Sequence, residues 1–482
     1  MRLPRKISTL LGNDLRRHTA TVLTGSGLAA VIATGVQPIL TRLYSPSDFG
    51  VADAFVSVVA VLLPFASLKY EDALMVPETS REASAVVVLS LTITLILSST
   101  LFLLSPFREA AAAALGSPAL SPWLLLVPLA LLLYRSSELA ELWVSRSKEF
   151  ASVSSSTAVR AASAGGVRIG WGLLSAGPGP GGLIWGFLAG FVASVAMLVG
   201  PRVGKLTHAV ARLGVADLLA AARRFSDFPR FTMPASFVSS AAQSIPFFLL
   251  LYYFDEATVG YFGRSFAVIA VPLTLIGSAV SRTFFVHAAE AYRDGTLSDT
   301  AARVHMRMVM FAMFPALATL AGGPALFEVV FGEGWQTAGQ YARATVVWFA
   351  LVGVSSPLTR IFDVTERQKT EFVVSTLACV ALAVAFVAGS RTGDPLTAIA
   401  VGSVGGVAGR LLQLATTMRI ASVSARTLSA PYIRYAVYAV PGVALIVAAM
   451  LSDHPSLVVV ATLGGGFLYA LFCLNELRRP AV

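Results

Sequence analysis

The sequence predicts an all-α polytopic membrane protein, and three observations carry that expectation. Apolar runs of about 20 residues recur from end to end, long enough at 1.5 Å per residue to cross a ~30 Å hydrocarbon core. Of the 482 residues, 56% are hydrophobic and only 13% charged, outside the range of soluble domains. The basic residues, moreover, sort to one side of the runs. Recurrence excludes a soluble domain on a single anchor. The continuous apolarity, without period-two alternation, argues against a β-barrel.

Windows of about 20 residues give about 14 transmembrane helices. They lie near 21–40, 51–68, 84–104, 122–143, 153–175, 182–200, 234–254, 260–281, 308–327, 341–359, 372–390, 396–418, 435–451 and 456–475. The first hairpin turns at Ser45-Pro46-Ser47-Asp48, where Pro46 presets its own φ and Asp48 can cap the next helix. The basic lead-in Met1-Arg-Leu-Pro-Arg-Lys has no small-residue cleavage site behind a short apolar core, so it reads as a cytosolic approach to the first span.

Most of the 36 basic residues fall on the side that holds both ends of the chain, against Arg42, Arg108 and Arg391 opposite. The positive-inside rule then places both termini in the cytoplasm. This bias accounts for the net charge of +10 without nucleic acid as a partner. The longest polar interval, 201–231, divides the chain, and residues 209–225 within it predict an amphipathic helix on the inner leaflet, with Arg212, Arg223 and Arg224 towards anionic headgroups. The expected organisation is a first lobe at 1–200, a basic linker at 201–233, a second lobe at 234–418 and a C-terminal helix pair at 419–482. The openings of the two halves, Pro38 to Val51 and Pro246 to Tyr261, are loosely alike, as a parallel repeat requires.

Charges at membrane depth are the candidate functional residues, since an arginine there costs roughly 2.5–3.5 kcal/mol and faces a partner or water. Arg160 and Arg168 share one span, within about 80° on the helix and about 12 Å apart in depth. Ser163, Gly165, Gly166 and Gly170 around them leave room for a guanidinium or for close helix packing. Arg264 and Arg410 are further cavity candidates, while Arg135 and Arg343, near span ends, are read as snorkelling. Among acids, Glu138 lies one turn from Arg135 and can simply pair with it. Asp53 is read as an acid near the start of its helix, stabilised by the dipole. Asp53 and Glu138 are also the candidates for coupling to a proton or sodium gradient.

Nothing catalytic stands out. No Gly-x-x-x-x-Gly-Lys-Ser/Thr loop is present, the five histidines lack ligand spacing, and Cys379 and Cys473 sit inside apolar runs. No cofactor or metal is expected.

Two stretches carry a resemblance. Leu40-Thr-Arg-Leu-Tyr-Ser-Pro-Ser-Asp-Phe-Gly-Val51 and Leu68-Lys-Tyr-Glu-Asp-Ala-Leu-Met-Val-Pro77 resemble the opening of Wzx-type polysaccharide flippases. These belong to the multidrug/oligosaccharidyl-lipid/polysaccharide (MOP) exporter superfamily. The family's second motif is Arg-Tyr-Glu-x-Ala-x-x-Leu-Pro; here Lys69 replaces its Arg and Val76 precedes Pro77. Arg224-Phe-Ser-Asp-Phe-Pro-Arg-Phe-Thr-Met-Pro234 is similar to its entry into the second half.

The resemblance implies two six-helix lobes of MOP/MATE-like fold, an internal cavity and alternating access. It implies a protein of the bacterial inner membrane that moves an undecaprenyl-diphosphate-linked oligosaccharide (the repeat unit of O-antigen, capsule or exopolysaccharide) to the outer leaflet; two parallel halves around one cavity need no dimer, so a monomer is expected. Polysaccharide polymerase machinery is the implied protein partner. It also draws attention to Arg42, Lys69, Tyr70 and Glu71, although loop folding and salt bridging would need the same residues. A lipid II flippase, a multidrug exporter of the same superfamily and a membrane polymerase or ligase are the alternatives. The surplus of arginine over acid at depth speaks against the drug exporter, and the short outer loops speak against the polymerase.

Overall fold

A computed structural model of the chain describes residues 27–175, 177–204, 211, 213–452 and 455–477. Long helices dominate them: α1 Gly27–Leu43, α2 Pro46–Ser67, α3 Ser80–Leu103, α4 Val127–Arg146, α5 Phe150–Leu174, α6 Gly181–Val199, α7 Val215–Arg224 and α8 Met233–Tyr253. Then follow α9 Glu256–Arg293, α10 Leu297–Phe331, α11 Gln336–Ser355, α12 Gln368–Ser390, α13 Pro395–Ile420, α14 Ala425–Met450 and α15 Pro455–Leu477. Among the described residues, ten helical segments are long and apolar enough to cross a membrane, eleven if one bent pair counts as a span. The protein is therefore an all-α, multi-pass membrane protein. The basic lead-in at 1–6 lies outside the described residues.

The chain divides into two compact units at Ser244/Ile245. In the first, α2 starts on a capping box. The Ser45 hydroxyl accepts the Asp48 amide at 3.2 Å, and the Asp48 carboxylate accepts the Ser45 amide at 2.9 Å. Ser45 is thus the cap, with Asp48 in the first turn, where the helix dipole favours an acid. Asp53, expected in that role, stands two turns inside, beyond the dipole's reach.

The span expected at 122–143 is broken instead. A short piece, Pro118–Leu124, meets α4 at a 55° bend, where Pro122 and Pro128 each remove a backbone donor. Next, α5 and α6 close tightly because α6 presents Gly186 and Gly190 one turn apart. A Cβ at these positions would lie 2.8 Å from the Ala164 carbonyl oxygen and 2.9 Å from that of Arg160.

The expected linker helix is shorter than 209–225, since α7 begins at Val215; residues 205–210 and 212, and so Arg212, lie outside the described residues. Ala221 on α7 and Phe225 just after it pack with Tyr70, Leu74 and Leu139, and the Tyr70 hydroxyl donates to the Ala222 carbonyl at 3.1 Å. Arg224 pairs with Glu82 at 2.6 Å while staying exposed, and Arg81 donates twice to Asp217 at 3.0 Å. The reason is spacing: Asp217 and Arg224 are seven residues apart, on one face of α7, opposite the adjacent Arg81 and Glu82 at the start of α3. Arg223 stays exposed.

In the second unit, α9 and α10 are far longer than the expected 260–281 and 308–327, at 38 and 35 residues. The stretch after Arg282 has no proline or glycine until Gly295, whose φ of +72° makes the turn. Polar residues there extend the helices and do not end them. Between α12 and α13 the packing is again glycine-mediated: a Cβ on Gly405 would stand 2.5 Å from the Ala385 Cβ and 2.7 Å from the Ala381 carbonyl oxygen.

Two predictions follow from these contacts. Gly405→Val should destabilise the detergent-solubilised protein by about 1–3 kcal/mol through overpacking, seen as a lower melting midpoint, while Val404→Leu on the exposed flank of α13 should leave it unchanged. The second concerns pH. Hydrogen bonds from Arg81 and the Gly214 amide hold the Asp217 carboxyl below its ordinary 3.8. The clamp's contribution is then complete above that value and fades only as the pH falls through the depressed one. Limited proteolysis after Arg223 should therefore proceed alike at pH 7 and pH 5, and Asp217→Asn should speed it at both.

Candidate functional site

The Lys-Tyr-Glu motif folds by leaving the helix. Leu68 and Lys69 both take left-handed backbone, φ 52° and 64°, and a 3-10 turn follows over Tyr70–Met75. This turn carries Glu71 inward, where it is fully buried. Glu71 accepts a hydrogen bond from the Ser67 hydroxyl and a charge-assisted one from Arg135, and Lys69 Nζ stands 3.2 Å away. Arg135 is 1% exposed. Its Nη1 also reaches Glu138 Oε2 at 2.5 Å, and its Nη2 donates to the Leu63 carbonyl at 2.6 Å. One guanidinium therefore ties α2, the 3-10 turn and α4 together. Arg135 does not snorkel; three short contacts turn it inward.

Lys69 is shared with Asp72, 3.3 Å from its nearer carboxylate oxygen. Burial works against the ammonium, but Glu71, Asp72 and Glu138 outweigh it and hold Lys69 above its usual range. Burial pushes the Asp72 carboxyl up, against the opposing pull of Lys69. Tyr70 points the other way, onto α7 as described. The motif thus divides its labour: Glu71 closes an internal charge network and Tyr70 anchors the linker.

Arg160 and Arg168 both lean on α6. Arg160 donates to Glu141 of α4 at 3.0 Å, and its guanidinium lies over the Phe191 ring, 5.4 Å from the centroid. Arg168 Nε donates to the Leu183 carbonyl at 3.3 Å, with its stem in the space left by Gly186. The Tyr44 hydroxyl of the first motif donates to the Arg168 carbonyl at 2.6 Å, so that tyrosine pins α1 onto the α5–α6 hairpin. Arg42 is exposed, its Nη1 2.5 Å from the Pro38 carbonyl oxygen one turn back. Asp53 is half-buried on α2.

The structure thus joins Lys69, Glu71 and Glu138 in one network and sets Arg160 beside it through Glu141. Arg42 and Arg168 bond elsewhere, to the Pro38 and Leu183 carbonyls. In the second unit, Arg264 is buried on α9, and Arg410 Nη1 donates to Gln413 Oε1 at 2.8 Å on its own helix. Arg343, expected to snorkel, donates through Nη2 to the Ala321 carbonyl of α10. Arg135 is the central residue that sequence reasoning set aside. Its signal was Glu138 three residues on, but the partnership with Glu71 spans 64 residues. Among the described residues, no group of three or more His, Cys, Asp or Glu could hold a metal ion.

Long helices carry these buried, mutually paired charges, and the fold they make is the one seen in solved members of the MOP superfamily. It is similar to the lipid II flippase MurJ in an inward closed conformation, at 13% identity and a TM-score of 0.70, over 98% of this chain and 100% of that one. It is also similar to an inward-facing multidrug resistance MATE family transporter of the MOP superfamily, at 15% identity and a TM-score of 0.56, over 83% and 94%. A third likeness is to a MOP superfamily transporter from Pyrococcus furiosus described as having a binding pocket of reverse polarity, at 14% identity and a TM-score of 0.55, over 85% and 96%. No curated protein matches the sequence. Residues 39–340 match the family model described as "Polysaccharide biosynthesis protein", and the chain belongs to that family.

Removing Arg135 strands Glu71 and Glu138 without their shared counter-charge. Arg135→Ala should cost about 3–5 kcal/mol in the thermal stability of the purified protein, and Glu71→Gln with Arg135 intact should cost less. Equal stability of Arg135→Ala and the native chain would refute the network's structural weight.

Proposed function

We propose that the chain is a flippase that carries a polyprenyl-diphosphate-linked glycan from the inner to the outer leaflet of a bacterial cytoplasmic membrane. The observation that carries this reading is the family match over residues 39–340, to a polysaccharide biosynthesis family, on a chain whose spans hold arginines away from lipid. In this reading α1, α5 and α9 cross the membrane with the other long helices, which makes fourteen spans. They form two six-helix lobes and a final pair, bounded as the sequence suggests, with both termini cytoplasmic. The protein acts as a monomer.

The diphosphate needs cations, and guanidinium groups supply them with forked geometry. Arg168, Arg264, Arg410 and Arg42 are the candidates, and Arg160, already bonded to Glu141, is the least available. Asp53, Lys69, Glu71 and Glu138 take the coupling and gating role, driven by a proton or sodium gradient. The prenyl tail has its own candidate seat. A groove of about 850 Å³ runs along α14 from Ile433 to Leu451, with Leu317 of α10 on its flank, and its lining is apolar throughout. The eighteen steps from Ile433 to Leu451 measure about 27 Å, close to the thickness of the hydrocarbon core.

Two cargoes compete within this class. An oligosaccharide repeat unit, handed on to polymerase machinery, agrees with the opening motifs. Lipid II is favoured by the match to MurJ over nearly the whole chain.

The deciding experiment uses proteoliposomes loaded in parallel with a fluorescent undecaprenyl-diphosphate oligosaccharide, fluorescent lipid II, or a cationic dye under a proton gradient. Movement of either glycolipid, reduced at least tenfold in Arg168→Ala, is the expected result. The faster of the two names the cargo. Dye extrusion with both glycolipids static would overturn the flippase reading in favour of drug export.

A further inference from the structure

Arg160 does not stand free for an anion, and the face it shares with α4 has a different chemistry. Tyr134, Glu138 and Glu141 recur at i, i+4 and i+7, one face of α4. Arg160 joins them from α5 through its bond to Glu141. Behind them lies an aromatic floor: the Tyr134 ring packs on Phe191 at 4.8 Å, and Phe187 on Phe191 at 5.0 Å. The charged side chains keep open flanks, with Glu138 33%, Glu141 24% and Arg160 33% exposed. Charged groups on membrane helices face water or partners, not hydrocarbon, and these have both a partner and a flank left open. This face lies in the inner half of its span, since Glu141 is about 7 Å from the end of α4 at Arg146.

The charge balance decides what such a face can hold. Arg160 is matched by Glu141 and Arg135 by Glu71 and Glu138, while Lys69 is divided between Glu71 and Asp72. Three basic groups against four acidic ones leave no positive surplus for a diphosphate. Fixed carboxylates and a guanidinium beside aromatic rings are instead complementary to a ligand with many hydroxyls and apolar C–H faces. The carboxylates accept from hydroxyls, Arg160 donates to ring and hydroxyl oxygens, and Tyr134 offers both an edge and a phenol.

We infer that Tyr134, Glu138, Glu141 and Arg160 form a sugar-reading face, which engages the glycan of the lipid-linked cargo while the diphosphate is held elsewhere. The inference rests on the flippase reading and adds to it the residues that determine sugar preference. Glu138 and Glu141 present acceptors on successive turns, so a sugar with adjacent free hydroxyls is bound better than one capped at those positions.

The test is binding by native mass spectrometry to the full-length protein in lipid nanodiscs. The probes are bare undecaprenyl diphosphate and undecaprenyl diphosphate bearing glucose, galactose or N-acetylglucosamine. The native chain should prefer at least one sugar-bearing probe to the bare lipid. Glu141→Gln and Tyr134→Leu should each weaken that probe about tenfold, the loss of one hydrogen bond involving a charged group, with bare-lipid binding unchanged. Should Tyr134→Leu fail to fold, Glu141→Gln carries the test, because it keeps the side chain's shape. Equal loss for bare and sugar-bearing lipids, no loss for either, or a native chain that binds all probes alike would overturn the sugar-reading face. A native chain that binds none of the probes would overturn the flippase reading beneath it as well.

Discussion

A buried guanidinium must find its counter-charges inside the protein, and that constraint organises the first unit. Arg135 is nearly sealed from solvent, and the groups that satisfy it come from three successive pieces of chain. In a membrane an uncompensated charge has no water to retreat to, so the pieces must meet. The position of the 3-10 turn after α2, the depth of Glu71 and the orientation of α4 are consequences of one side chain's electrostatics. Tyr70 passes that geometry on to α7, which opens the route into the second half of the chain.

Much of the architecture was legible because a membrane protein writes its elements in runs. Length, apolarity and the sorting of basic residues locate helices without any knowledge of packing, and the Ser45–Asp48 turn is readable from its residue types alone. What failed were statements about where a polar side chain points. Arg135 and Arg343 looked like span-end residues, yet other elements supplied acceptors that no local pattern announces: Glu71 and the Leu63 carbonyl for Arg135, the Ala321 carbonyl for Arg343. The ion pair of Arg224 with Glu82, 142 residues away in sequence, was equally unannounced. Helix ends failed for a related reason: a polar run such as that after Arg282 marks where lipid stops, not where hydrogen bonding along the backbone stops.

The candidate site was half legible. The residue types, charges at depth, were evident, but their grouping was not. Lys69, Glu71 and Glu138 cluster around a residue that had been passed over, while Arg160 and Arg168, neighbours on one helix face, serve different partners on α4 and α6. A family resemblance pointed to the Lys-Tyr-Glu motif, and the fold explains why that motif matters mechanically whatever the cargo. Its glutamate is the counter-ion of Arg135 and its tyrosine a tether to α7.

The two left-handed residues ahead of that glutamate bear on energetics. Leu68 and Lys69 are not glycines, yet both occupy a backbone region that costs side-chain-bearing residues roughly 1–3 kcal/mol each. The ion pairs beyond them hold the bend in place, much as a catch holds a compressed spring. The ion pairs at Glu71 therefore offset a local backbone cost, and the net stability of this corner is smaller than its hydrogen bonds alone suggest.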